Sequence, residues 1–332
     1  MDPKVFKTYN SQLRILRSRG LIVPTTGVPK RILQQENYYK IINGYKSLFI
    51  DPALSTPLNE KYKVGSELYE IKALYDFDAE LRSIFLKRIL RIENNFGSAI
   101  SYVFSEKYGH DNYLKLENFN VPSIPVGLTP NQEKKAKIKQ VNTIQDIYKL
   151  IQGIQGDIAR AIKNQKYIQH YMVDYGYIPM WVLINVLTFG TVSKFYRTMK
   201  EADQRSVAKI LNVQFDELYG IIGILTLVRN TCAHDERLFD FISHTPQLKT
   251  NYIHTNLSIP LDSNGNLLYG KNDLFAALIS LKMLSSKTDF NKMFTEIKYA
   301  VELLDNNLKT ILLDEVLDKM GFPNNWKDIK KV

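Results

Sequence analysis

Between residues 229 and 237 the chain carries two arginines, an asparagine and a histidine, directly after the apolar run YGIIGILTLV (219–228). On a helix, Asn230 and His234 lie four residues apart and share a face. Arg229 stands one step round with a long reach, and Arg237 lies three residues past His234. An imidazole that titrates near neutrality can take or give a proton. A guanidinium can stabilise the charge that builds on phosphate oxygens. Together these groups suit cleavage of RNA, whose own 2′-hydroxyl is the nucleophile, so that a 2′,3′-cyclic phosphate forms and no metal is required. Arg229 and His234 are the candidate catalytic residues, Asn230 is their polar accessory and Arg237 is a supporting cation. The Arg-x4-His spacing alone is a weak signal, and the same residues equally fit a solvated helix end. Cys232 lies inside the motif helix, where a buried structural cysteine is the commoner case.

In-line displacement is helped by a base on one side of the phosphate and an acid on the other. The other histidines, His110, His170, His244 and His254, fall in predicted loops or outside the motif. One chain therefore reads as half a site, and a twofold homodimer through residues 225–240 completes it.

Helices must position these groups. Periodicity predicts helices over 3–19 and from Pro29 to about Tyr39. A long helix follows over 67–107, with Leu74, Phe77, Leu81, Ile84, Phe85, Ile89, Ile92, Phe96, Ile100 and Val103 at steps of three or four. Glu93 borders that stripe and is either a solvated edge residue or a supporting carboxylate that needs a partner. Further helices are expected over about 133–168, over 177–199 with a break at Gly190, and over 203–213 and 215–240. A last helical stretch runs from Asp273 to about Asp318 with a break near Ser285–Thr288. Asn264-Gly265 marks a short β-hairpin. The fold class is all-α, a helical bundle with a hairpin insertion. Its parts are a basic helical unit over residues 1–60, a helical core over 61–320 with the insertion at about 244–272, and a C-terminal tail over 321–332.

The 332 residues carry a net charge of +10. Residues 1–49 hold nine Lys/Arg against two acids, so a seventh of the chain accounts for +7 of it. Phe6, Tyr9, Tyr38, Tyr39, Tyr45 and Phe49 are interleaved there. Concentrated positive charge with rings that can stack on unpaired bases points to RNA. Arg14, Arg17, Lys30, Arg31, Tyr38, Tyr39 and Lys46 are the candidate RNA contacts. A single cysteine excludes an intrachain disulfide and a Cys/His zinc site of the usual kind. No metal or other cofactor is expected. No apolar run approaches the ~20 residues of a membrane span, and the start has no apolar h-region. Both favour the cytoplasm.

The stretch LVRNTCAHDERLF (227–239) resembles the Arg-Asn-x-x-x-His signature of HEPN domains, in particular of the abortive-infection family of the AbiD and AbiF type. Three other segments resemble that family in the same order: ENYYKIINGYKSLF (36–49), LRIENNFGSAISYVFSEKYG (90–109) with its Arg-x-Glu, and PMWVLINVLTFGTVSKFY (179–196). Together they span about residues 20–240. Val228 stands where the family usually has leucine. The resemblance implies an all-α HEPN core, a phage-defence or growth-arrest role and metal-independent ribonuclease activity, with Arg229 and His234 in the catalytic positions and Asn230 in the accessory one. It also implies control by a structured noncoding RNA, and pairing of motif helices in a homodimer. The alternatives are a noncatalytic RNA-binding protein and a DNA-binding regulator with residues 3–39 as a helix-turn-helix. The long loop from Gly20 to Val28 counts against the regulator.

Overall fold

The computed structural model describes residues 5–56 and 59–332. The basic-segment residues Asp2 and Lys4 lie outside them. The N-terminal helices are α1 (Tyr9–Ser18) and α2 (Val28–Gln35), followed by a π-helical turn, Tyr39–Asn43. Thr8 caps α1 by accepting the N–H of Ser11, so the helix starts at Tyr9 instead of residue 3. Pro29 sits in the first turn of α2, where its missing N–H costs nothing.

The spine is α3 (Leu68–Tyr108). Glu70 fixes its start by accepting the N–H of Glu67 and those of Lys309 and Thr310. Burial alone would raise the Glu70 carboxyl, but these N–H groups and the Thr310 hydroxyl hold it below its ordinary value. The predicted stripe from Leu74 to Val103 is buried. The chain continues through α4 (Pro130–Asn164), α5 (Lys166–His170), α6 (Met180–Leu183), α7 (Phe189–Thr198), α8 (Glu201–Ile210) and α9 (Phe215–Ala233). It ends with α10 (Tyr252–Asn256), α11 (Leu274–Leu284), α12 (Lys287–Asp305) and α13 (Leu313–Lys319). The expected break at Gly190 falls earlier, at residues 184–188, because Thr188 caps α7 by accepting the N–H of Thr191.

α3 packs against α9, α12, α8 and α6. One continuous apolar core runs from Leu13 to Ile329 and includes Phe322 and Trp326 near the C-terminus. α9 is apolar over most of its length, with Leu218, Ile221, Ile222, Ile224, Leu225 and Val228 buried and Tyr219 exposed. Its glycines have a packing reason. A Cβ on Gly223 would lie 2.1 Å from Pro246 Cγ, and one on Gly220 2.6 Å from the Gln247 carbonyl oxygen. Without side chains there, the segment after the motif lies directly on the α9 backbone.

The molecule is all-α: the described residues contain isolated bridges and no sheet. The expected hairpin reduces to one bridge, Leu261–Leu267. Asp262 accepts the N–H groups of Asn264 and Asn266, both at 2.8 Å. Its side chain thus takes the Asn266 N–H that a ladder would have used, while the Asp262 N–H still meets the Asn266 carbonyl at 2.8 Å. No single described helix is long and apolar enough to cross a membrane.

Candidate functional site

The motif helix stops earlier than its pattern predicts. α9 ends at Ala233, and His234 is its cap, with its N–H on the Asn230 carbonyl at 2.9 Å. Asp235 then adopts a left-handed conformation, φ +55°. The Glu236 N–H returns to the Thr231 carbonyl (3.0 Å) and the Asp235 N–H to the Cys232 carbonyl (3.3 Å). This is the paired closing pattern of a Schellman helix end, with aspartate where glycine is usual.

The cause of the stop lies on α3. Asp78 is fully buried. Its carboxylate accepts the N–H groups of Leu238 (3.1 Å) and Phe239 (2.6 Å), the Tyr45 hydroxyl (2.6 Å) and Arg82 Nη1 (2.5 Å). To reach it, the chain must leave the helix before residue 238. Burial pushes the Asp78 carboxyl up, and these donors offset that only in part. Burial and the neighbouring Asp78 also raise the Tyr45 hydroxyl, so it remains a donor. The second nitrogen of Arg82 reaches Asp235 Oδ1 at 2.6 Å, and Lys40 pairs with the other oxygen. Tyr45 also stacks on Phe239, with ring centroids 5.7 Å apart. One network thus joins the N-terminal turn, the spine and the end of the motif helix.

An open groove of about 920 Å³ lies over this junction. Asn230, His234 and Arg237 line one wall, Tyr39 and Lys40 another. His234 and Asn230 are exposed. Arg237 is committed elsewhere: it pairs with both oxygens of Asp240 and donates to the Gly44 carbonyl. It therefore clamps the motif loop to the N-terminal turn. His244, read from sequence as outside the motif context, lines the same groove and is exposed. The 245–248 segment packed on Gly220 and Gly223 brings it back. A single chain therefore brings two histidines to the lining of one groove. His254 is different. It is buried, bonded to the Gly270 carbonyl and to Asn251, and its pKa is lowered by burial.

Arg229 is not among the residues that line the groove. It points to the flank of α9, where its Nε lies 3.4 Å from Glu93 Oε2. Glu93 is the half-hidden carboxylate that the α3 pattern singled out, and Arg229 is its partner. Burial raises the Glu93 carboxyl, while Arg229 and the Phe189 N–H at the start of α7 pull it down less strongly. Arg91, the other member of the Arg-x-Glu pair, turns away and meets Asp289 at the start of α12 (2.8 Å). Cys232 is buried and its thiol is pushed up to about 12 by burial. It is an inert packing residue.

The N-terminal candidates divide in two. Arg14, Lys30 and Arg31 are exposed, and among the described residues none makes an ion pair. Tyr39 is exposed, whereas Tyr38 packs against the core. Arg17 donates to the carbonyls of Val23 and Pro24 and braces the loop after α1. Lys46 joins Arg19 on Glu60, at 2.6 Å and 2.9 Å. Sequence reasoning missed Asp78 and Arg82. Their signal was two opposite charges four apart, set between Leu74, Phe77, Leu81 and Phe85 on an apolar stripe.

A family model described as Abi-like protein matches residues 31–240, more than half of the chain. The chain belongs to the Abi-like family, which suggests a role in abortive-infection defence. Tyr45, Asp78, Arg82, Asp235 and Phe239 all fall within the matched range. No curated protein and no solved structure matches the chain.

Proposed function

We propose that this Abi-like protein is a metal-independent endoribonuclease that acts in abortive infection and is controlled by a bound structured RNA. The observation that carries the reading is the groove itself: His234 and Asn230 stand exposed on its wall, with Lys40, Tyr39 and His244 around them. One histidine takes the proton of the 2′-hydroxyl as its oxygen attacks phosphorus. A second gives a proton to the departing 5′-oxygen, leaving a 2′,3′-cyclic phosphate and a 5′-hydroxyl. Arg229 supplies charge stabilisation from the flank of the motif helix. It faces Glu93 within its own chain, so we propose that two motif helices pair and that each Arg229 serves the shared cleft. The second histidine is then either His234 of the other copy or His244 of the same chain. Arg14, Lys30 and Arg31 offer unpaired charge for the regulatory RNA.

The test is growth arrest and phage protection with Arg229→Ala and His234→Ala, each checked for folding by circular dichroism. Both are expected to lose protection, and cleavage by the parent protein is expected to survive EDTA. Undiminished toxicity of the folded double variant would overturn the nuclease and leave a noncatalytic RNA-binding protein. Light scattering with and without RNA, together with His244→Ala, identifies the second histidine. A strict monomer that cleaves RNA and depends on His244 removes the paired cleft.

A further inference from the structure

A second groove, of about 710 Å³, opens beside the first between the start of α1 and the end of α2. Tyr39 lines both grooves. Three exposed rings line the second one, Phe6 at 84%, Tyr39 at 74% and Tyr9 at 40%, with the partly buried Tyr38 beside them. Single exposed rings are ordinary on protein surfaces. Three in one groove, which shares Tyr39 with the groove that holds His234, can serve as a stacking platform.

The polar lining is of a particular kind. Gln12, Gln34 and Asn37 place three amides in the same wall. Asn37 uses its oxygen to accept the Tyr39 N–H (2.8 Å), which leaves its NH₂ to donate outward. Gln12 donates to the Lys7 carbonyl (3.1 Å). Its own oxygen is shielded from water and has no hydrogen-bond partner among the described residues, an incomplete arrangement that a small rotation of the amide toward a donor would mend. The carboxylate in the lining, Glu36, is occupied by the Tyr75 hydroxyl at 2.6 Å. Lys7 supplies a cation. Rings for a π-face, amides that both donate and accept, and positive charge at the rim match the needs of an unpaired nucleobase. A docking peptide helix would need an aliphatic floor, and the aliphatic side chain here, Leu33, is buried.

We propose that this groove is a nucleobase subsite. A base near the scissile phosphate leaves its strand, stacks on Tyr39 and Phe6, and turns its edge toward Gln34 and Asn37. The ligand class is single-stranded RNA, and the consequence is a base preference at one position flanking the cleaved bond. The proposal rests on the reading that RNA lies in the His234 groove. It adds where the neighbouring base goes.

The test uses full-length His234→Ala protein, so that binding is read without cleavage. The probe is a fluorescent single-stranded RNA oligonucleotide, with a companion in which one nucleotide is an abasic linker. Tyr39→Ala and Phe6→Ala are each expected to weaken binding about tenfold, while Tyr39→Phe binds like the parent. The abasic oligonucleotide is expected to lose as much affinity, with little further loss on Tyr39→Ala. Ultraviolet cross-linking is expected to attach RNA to peptides containing residues 6–9 or 39. Tight binding that ignores Tyr39→Ala, Phe6→Ala and the abasic position overturns the subsite and leaves the nuclease reading standing. Absence of RNA binding in every variant overturns both. Loss of a dimer in Phe6→Ala with unchanged RNA affinity makes the platform an interface between copies and also overturns the subsite.

Discussion

Replacing Asp78 by alanine removes an acceptor shared by four donors: Tyr45, Arg82 and the N–H groups of Leu238 and Phe239. Each buried donor left unpaired costs ~1–3 kcal/mol. Breaking a buried charge pair by deleting one partner costs ~3–5 kcal/mol. These overlap, because Arg82 is both a donor and the orphaned charge, though it retains Asp235 at 2.6 Å. A net loss of about 4–5 kcal/mol follows. Unfolding entropy of ~2.1 cal/mol/K per residue gives about 0.7 kcal/mol/K for a chain of 332 residues. The melting temperature should therefore fall by about 6–7 °C. Arg82→Met should cost less, since Asp78 keeps Tyr45 and both backbone donors. The double variant should lose less than the two single losses combined, by ~1–3 kcal/mol. Scanning calorimetry on the four proteins reads all of this. A fall below 2 °C for Asp78→Ala, or strict additivity, would refute the view that this network holds the motif loop.

Glu93→Gln tests the half-hidden carboxylate beside Arg229 by its pH dependence. Burial holds the folded-state pKa of Glu93 above its ordinary 4.5, so the folded chain favours the protonated form. Its contribution to stability is full below about pH 4.5 and is lost as pH rises through the elevated value. The variant should therefore gain on the parent in melting temperature between pH 4 and 7. A variant that is less stable at pH 7 than at pH 4, relative to the parent, would show that the Arg229 pairing outweighs burial. The N-terminal cations should separate by role. Reversing the charge of Arg14, Lys30 or Arg31 should weaken RNA binding and reduce the magnitude of the salt slope by about 0.7 for each phosphate no longer neutralised. Lys46→Glu should chiefly lower the melting temperature by breaking the Glu60 junction. Unchanged affinity and slope for all three exposed residues would move phosphate docking to the exposed lysines at 134–139.

The spine and the motif were legible because each is written locally. The 3.6-residue stripe from Leu74 to Val103 specifies a one-sided helix whatever surrounds it. The run from Ile221 to Val228 specifies a buried one. The end of α9 was not legible, because the signal that stops it sits about 160 positions away on Asp78. Nothing within residues 234–240 except the positive φ of Asp235 marks the stop, and sequence does not display φ. Arg229 and His234, neighbours in the motif, diverge in space. Five residues apart on a helix of about 100° per residue, they leave on different faces: His234 shares the face of Asn230 and the groove, and Arg229 stays on the flank with Glu93. His244 reads from sequence as lying outside the motif, although two glycines in α9 allow its segment to fold back. Arg17, Lys46 and Arg237 have the right charge, but backbone carbonyls and acids elsewhere in the chain consume it. Composition cannot distinguish a brace from a ligand-binding cation.

Seen from the chemistry, the strap on Asp235 has a use. A left-handed aspartate is less comfortable than glycine at the end of a helix, and this one is held by two cations from separate elements, Arg82 on α3 and Lys40 on the N-terminal turn. Both hold its carboxylate at the junction, within the lining of the groove. The acid next to the motif histidine is thereby committed to holding the backbone turn. The same Lys40 adjoins Tyr39 and lines the groove, so an RNA phosphate arriving there competes with Asp235 for its ammonium. On the proposed RNA reading, strand binding and the hold on the motif loop would be coupled through that one side chain. The N-terminal turn is part of the wall of the groove, and through Lys40 it meets the residue next to His234.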